Sequence, residues 1–284
     1  MTERKEDNRK PEGVRSGKLA GLFPGAHAKG QQRKLQKTGL VVSGKRERSR
    51  EQLLLDDALH KELQHDVNHV NMKKVVELVK NGADPDVAGQ RGYTALHFSV
   101  VKDNDAAAKF LLEKGANPNV PDSENNTALH HAASRYNMNI LEELVKKNAN
   151  MDALNGKANT PLHTAVDGAH ADFAMRLVEA GAKTDLLNKD DQTPLHMAAV
   201  RGYSDIVKKM LLRGVKPDLK NSAMRTALHF ATAKGHSRVM TDLLYAGADP
   251  LLKDNEGKQA IDFAKTEEAC EIIKDHLKKK VTGP

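Results

Sequence analysis

The strongest constraint on this chain is a tetrapeptide that returns every 33 residues. Thr94-Ala95-Leu96-His97 recurs as Thr127-Ala128-Leu129-His130, Thr160-Pro161-Leu162-His163, Thr193-Pro194-Leu195-His196 and Thr226-Ala227-Leu228-His229, without insertion. A degenerate copy, Gln259-Ala260-Ile261-Asp262, falls one period later. A second signal keeps the same phase: Gly82-Ala83, Gly115-Ala116, Asn148-Ala149, Gly181-Ala182, Gly214-Val215 and Gly247-Ala248 each follow an apolar run. Two motifs locked to one spacing require a repeat array, in which each unit buries its apolar face against its neighbours.

The chemistry of one unit predicts its local structure. Thr is a good N-cap, and Pro at the next position suits the first helical residue, where the missing N–H costs nothing. Leu195, Ala198 and Ala199 then form the buried stripe of a short inner helix, and small Ala residues let neighbouring helices approach closely. Ile206 to Leu212 reads as an outer helix, and Gly214 ends it where a left-handed residue is needed. The link Leu187-Asn188-Lys189-Asp190-Asp191-Gln192 has the composition of a hairpin turn. Aromatic residues make up only 4% of the chain and Trp is absent, which suits thin aliphatic layers.

These motifs resemble the ankyrin-repeat family over roughly residues 59–278. The resemblance implies an all-α helical solenoid with β-hairpin fingers, of about seven units including both caps. The units fall near 59–90, 91–123, 124–156, 157–189, 190–222, 223–255 and 256–284 of a domain spanning 51–284. Lys61-Glu62-Leu63-Gln64 replaces the motif in the first unit, and the last lacks both Thr and His, so both read as caps. A helix from Glu51 to Asp66, including Leu53-Leu54-Leu55, Ala58, Leu59 and Leu63, is expected to seal the N-terminal end.

No constellation in the sequence points to catalysis, a cofactor or a metal. The family implies that the repeated histidines (His97, His130, His163, His196, His229) hydrogen-bond adjacent hairpins. They spread along the array by about 10 Å per unit, the packing distance of helices, and so cannot converge on one ion. His65 and His69 have helical ligand spacing but no evident third ligand. Cys270 is the only cysteine, which excludes an internal disulfide and reads as a buried, inert thiol. The charged N-terminus does not read as a secretory signal, and no apolar run is long enough for a bilayer. A cytoplasmic or nuclear location is the expectation, with a monomer in the free state.

Recognition in the family generally uses hairpin tips and the exposed face of the inner helices. Eight residues beyond each motif Thr stand Lys102, Arg135, Gly168, Arg201 and Lys234, a line that is basic at four of five positions. Tyr136 and Tyr203 follow close behind, and Tyr93 sits at a fingertip. Arg91, Lys157, Lys189 and Arg225 add positive charge just before their motifs. This composition suits an acidic peptide or domain edge held in the groove. The function expected is that of a non-enzymatic adaptor or inhibitor.

Residues 1–50 are a separate matter. They carry 14 Lys and Arg against 5 Asp and Glu, whereas the whole chain is only +7. Few large apolar groups interrupt them, which predicts a disordered basic tail. Lys45-Arg46-Glu47-Arg48-Ser49-Arg50 resembles an import or nucleic-acid patch, and Leu19-Ala20-Gly21-Leu22-Phe23-Pro24 is the one apolar island. The alternative function is therefore a nuclear regulator whose tail contacts nucleic acid or import machinery while the repeats hold a co-regulator. Limited trypsin digestion is expected to leave a resistant fragment beginning near residue 50. Protection of the whole tail would show instead that it packs on the array.

Overall fold

The computed structural model of the chain describes residues 48–282; the tail expected over 1–50 lies almost entirely outside the described residues. Helix α1 (Arg50–Leu63) and α2 (Met72–Lys80) open the array. Five inner–outer pairs follow: α3 (Ala95–Val101) with α4 (Asp105–Glu113), α5 (Ala128–Arg135) with α6 (Met138–Lys146), α7 (Pro161–Asp167) with α8 (Ala171–Glu179), α9 (Pro194–Arg201) with α10 (Ser204–Leu212), and α11 (Ala227–Lys234) with α12 (Ser237–Tyr245). A 3-10 turn, Ala260–Phe263, and the long α13 (Glu267–Thr282) close it. Inner helices stack on inner helices and outer on outer.

Each motif Thr is the N-cap of its inner helix, in extended conformation. The second residue after each outer-helix end, five glycines and Asn148, has positive φ as expected for a left-handed cap. Leu96, Leu129, Leu162, Leu195 and Leu228 are at most 1% exposed, and the neighbouring alanines are equally buried. A thin aliphatic layer therefore separates the two helix rows of every unit.

The N-terminal cap differs in detail from the expectation. Helix α1 stops at Leu63, three residues early, and is held at its start by a reciprocal Ser49–Gln52 capping box. Leu59 and Leu63 are fully buried and Leu55 partly, but Leu53 and Leu54 are 51% and 62% exposed. A helix turns 100° per residue, so three consecutive leucines cannot share one packing face. The cap grips the loop after α2: Asp56 accepts the Asp84 N–H (2.6 Å) and the His60 ring meets the Ala88 carbonyl (2.8 Å). At Gly89 an added Cβ would lie 2.2 Å from the Leu63 carbonyl oxygen, so glycine alone permits this approach.

The expected β-hairpin fingers are compact turns, with no strand among the described residues apart from an isolated Lys253–Gln259 bridge. Each finger is closed by one N–H reaching the carbonyl four residues on, as in Asp122 to Asn126 (2.8 Å) and Asn188 to Gln192 (3.0 Å). Inside the turn, the side chain of Asp122, Asn155, Asn188 or Asp254 accepts two backbone N–H groups, and Asn221 stands at the same position. For Asn221 the second of these bonds is absent, leaving only the Arg225 N–H (2.8 Å).

The motif histidines join one unit to the next. In each, Nδ1 accepts the backbone N–H of its own N-cap Thr at 3.1–3.2 Å. An N–H can only donate, so Nδ1 is unprotonated and the ring proton sits on Nε2. That Nε2–H donates to a carbonyl of the following finger: Asn126 (3.3 Å), Asn159 (2.9 Å), Gln192 (3.0 Å), Leu219 (2.9 Å) and Lys258 (3.3 Å). In the last unit Gln259 and Asp262 reproduce the local half of this arrangement.

Burial lowers the pKa of all five histidines, to about 4 for His97, His163 and His196. Between the ordinary value of 6.5 and about 4 the unfolded chain binds protons that the native rings refuse. Stability contributed by the neutral rings is thus complete above pH 6.5 and lost as pH falls to about 4. Across several histidines the loss is on the order of several kcal/mol. Urea unfolding at pH 7, 6 and 5 is expected to show a steadily falling midpoint; equal midpoints would show that the rings are not held neutral.

Candidate protein-interaction surface

The inner helices and fingers face one open side of the array, and the structure sorts the basic residues there into two kinds. Arg135 forms a two-pronged ion pair with Asp103 (3.2 and 2.8 Å), and Arg201 pairs with Asp167. The Arg135 hydrogen bonds hold the Asp103 carboxyl below its ordinary range. Lys102 donates to the Val70 carbonyl (2.8 Å) and closes the loop before α2. The line of bases is therefore largely spent on the preceding unit. Lys234 is exposed and has no acidic partner within 4 Å among the described residues.

Arg225 is a clamp between units. Its guanidinium donates to Asp254 (2.9 Å) and Glu256 (3.2 Å) and stacks 4.9 Å from the Phe263 ring centre. For Asp254 burial is the largest single influence and raises the pKa, but the hydrogen bonds from Arg225, Lys258 and Glu256 together lower it. Arg91 and Lys157, by contrast, are exposed at fingertips with no acidic partner within 4 Å among the described residues. At the same fingertip position the other units carry Glu124, Asp190, Ala223 and Glu256. The tips thus alternate in sign over the first four fingers.

The tyrosines part company too. Tyr136 occupies the left-handed position after α5 (φ 58°), is 44% exposed and reaches Asp172 (3.4 Å). Tyr203 belongs to a different repeat position, the N-cap of α10, and is half-buried. Tyr93 packs among His97, Phe98 and His131, with ring centres 5.2–5.6 Å apart. His131, which the sequence reading did not single out, pairs with the buried Asp122 at 2.8 Å. Its signal was an ionisable ring at a position where Phe98, Thr164, Met197 and Phe230 stand in other units.

Between the fingers around Asn126 and Asn159 lies a polar depression of about 370 Å³, lined by Glu124, Asn155, Lys157, Thr164 and Asp167. It opens where Gly168 interrupts the basic line; a Cβ there would collide with the His170 ring at 2.7 Å. Lateral bonds hold the finger row. Ser123, Gly156, Lys189 and Asn255 each donate N–H to the preceding finger, at 2.7–3.0 Å. One junction departs from this: Ser222 instead donates to the Asp191 side chain, and His196 takes the Leu219 carbonyl. A rung also recurs at the foot of the fingers, from Asp86 to Asn117, Asn119 to Asn150, Asp152 to Lys183 and Asp218 to Asp249. The corresponding rung from Asp185 to Lys216 is missing at that same junction.

No group of three or more His, Cys, Asp and Glu among the described residues is placed to hold a metal ion. His69 bonds Asp66 (2.8 Å), and Cys270 is half-buried beside the buried Ala269, so its thiol is less enclosed than expected. No described helix is long and apolar enough to cross a membrane.

An open repeat surface with a row of turns along one edge defines a tandem-repeat binding scaffold. The model of ankyrin repeats (3 copies) matches residues 63–155, 129–221, 169–254 and 197–280, and the chain belongs to the ankyrin-repeat family. Among solved structures, the ankyrin repeat domain of Bcl-3, described as a unique member of the IkappaB protein family, is similar with a TM-score of 0.68. It is 24% identical, over 78% of this chain and 97% of that one. The human ASB11 ankyrin repeat domain gives 0.61 and 24% over 81% and 98%, and an ankyrin repeat domain from Acinetobacter baumannii AYE gives 0.60 and 25% over 68% and 98%. No curated protein matches by sequence. Ankyrin repeats generally mediate protein–protein interaction, and the fold is typically non-enzymatic.

The two kinds of base should respond differently to mutation. Arg225→Ala is expected to lower Tm, because it strips Asp254 and Glu256 of their shared cation, while Lys234→Ala leaves Tm unchanged. Thermal unfolding followed by circular dichroism checks this; equal effects would show that Arg225 is no clamp.

Proposed function

We propose that the chain is a protein-binding adaptor or inhibitor that holds an extended segment of its partner along the fingers and inner helices. The observation that carries this is the row of exposed fingertips, with Arg91 and Lys157 uncommitted and Glu124 and Asp190 between and beyond them. Neighbouring units stand about 10 Å apart. An extended chain advances about 3.3 Å per residue, so one fingertip is met every three residues or so. A partner segment with acidic side chains opposite Arg91 and Lys157 and basic ones opposite Glu124 and Asp190 would match this surface. The acidic preference expected from the basic line narrows accordingly to the places where the cations are free. Lys234 extends the same surface toward the C-terminal end.

The test is affinity purification with the full chain as bait, followed by cross-link mapping and affinity measurement with the captured partner. Arg91→Glu with Lys157→Glu is expected to weaken the complex about tenfold or more, since truncating or reversing interface charges of this kind costs about 2 kcal/mol or more. Arg135→Glu with Arg201→Glu is expected to weaken it less, because both side chains are already paired. Reversal of Lys146 and Lys147, on and beside an outer helix, should leave binding unchanged. Loss only from that last pair would place the interface on the opposite side and overturn the reading.

A further inference from the structure

The backs of the outer helices are laced together by ion pairs over most of the array. Glu142 pairs with Arg176 (2.6 Å), Asp172 with Lys209 (2.5 Å) and Glu179 with Arg213 (2.6 Å). At the last turn of α10 and α12 the pattern changes. Leu212 and Tyr245 lie one period apart where earlier units carry Glu113, Lys146 and Glu179, and they are 76% and 84% exposed. Nothing in the fold needs an apolar side chain there, because neither is packed.

Tyr245 is a ridge between two grooves. On one side, α10 and α12 supply Lys208, Leu211, Leu212 and Thr241. On the other, α12 and α13 bound a groove of about 520 Å³ over Leu244, Ile272, His276, Lys279 and Lys280. Ile272, Asp275, His276 and Lys279 recur at helical spacing, so α13 turns one whole face toward this groove, as α12 does with Thr241, Leu244 and Tyr245. A channel walled by two helix faces has the form that a third helix fills.

Charge selects the occupant. Asp242 is engaged by the Ser204 hydroxyl (2.6 Å), and Asp275 by Lys278 (3.3 Å). Lys208, Lys279 and Lys280 have no acidic partner within 4 Å among the described residues. The uncommitted charge around the patch is therefore positive. The chain's own N-terminal tail, with 14 bases against 5 acids, would be repelled. A second copy joined about a twofold axis would set these lysines against their own counterparts.

We propose that this outer-helix patch docks an amphipathic helix of another protein, with apolar side chains seated around Tyr245 and carboxylates along its edges facing the three lysines. The site is separate from the finger surface. It would leave the fingers free, so one chain could hold two partners at once.

The test uses the full chain and fluorescein-labelled synthetic helical peptides in an anisotropy titration. One peptide carries Leu and Phe on one face with Glu along both edges; its counterpart carries Lys in place of Glu. The acidic peptide is expected to bind, and the basic one at least about tenfold more weakly. Leu212→Ser with Tyr245→Ser, both exposed and so compatible with folding, should weaken the acidic peptide about tenfold or more. Lys279→Glu with Lys280→Glu should do likewise and improve the basic peptide. Arg91→Glu with Lys157→Glu should change nothing, which separates this patch from the finger surface. No binding of the acidic peptide, equal binding of both peptides, or loss only in the fingertip variant would each overturn the proposal. Circular dichroism of every variant confirms that the fold is retained.

Discussion

The array depends on neutral imidazoles that face two ways. Each motif histidine accepts from the start of its own helix and donates into the next finger, so one ring fixes both a helix terminus and a unit-to-unit distance. A donor at both nitrogens would set N–H against N–H at the capping threonine. Burial keeps that state away, and the small alanines beside each ring make the burial possible by letting the layers close. The aliphatic core and the polar seam are thus one device: without the thin core the ring would be hydrated, and without the ring the helix start would carry unmet donors.

The polar groups around the fingers follow the same economy of position. From the second finger on, an Asp or Asn, buried in all but Asn155, opens the turn and satisfies backbone donors within it, while the rungs at the foot reach the next unit. No buried side-chain nitrogen or oxygen among the described residues is left without a partner. Cost falls where polar atoms are enclosed and unpaired, so a repeat this rich in Asp and Asn can be stable only because every unit offers its neighbour the complementary group.

The fold was legible because its signals are local and periodic. Caps, helix breakers and the buried leucine all lie within one unit, and their common phase removes ambiguity. The end cap was less legible: Leu53-Leu54-Leu55 marks a helix, but only the neighbouring elements decide which leucines it buries. The interaction surface was legible in outline and not in detail. Spacing alone places Arg135, Arg201 and Lys234 in one line, yet their availability turns on acids 32 to 34 residues away, at Asp103 and Asp167. Arg225 shows the same limit, since its partners Asp254 and Glu256 lie in the following finger. Tyr136 and Tyr203 look alike beside their motifs, but one residue of difference in register puts one ring in a left-handed turn and the other at an outer-helix cap. The exposed Leu212 and Tyr245 could have been noticed as apolar residues at a position otherwise charged.

The junction around Ser222 gives the array an internal boundary. A stack of units coupled only to nearest neighbours behaves as a one-dimensional chain, and its cooperative length is set by the weakest coupling rather than the average. Where the backbone bond between fingers gives way to a side-chain bond and the Asp185–Lys216 rung is missing, that coupling is lowest along the finger edge. The aliphatic layers remain continuous across it. The array therefore stays one body through its core while its finger edge is tied least firmly between Asp191 and Ser222.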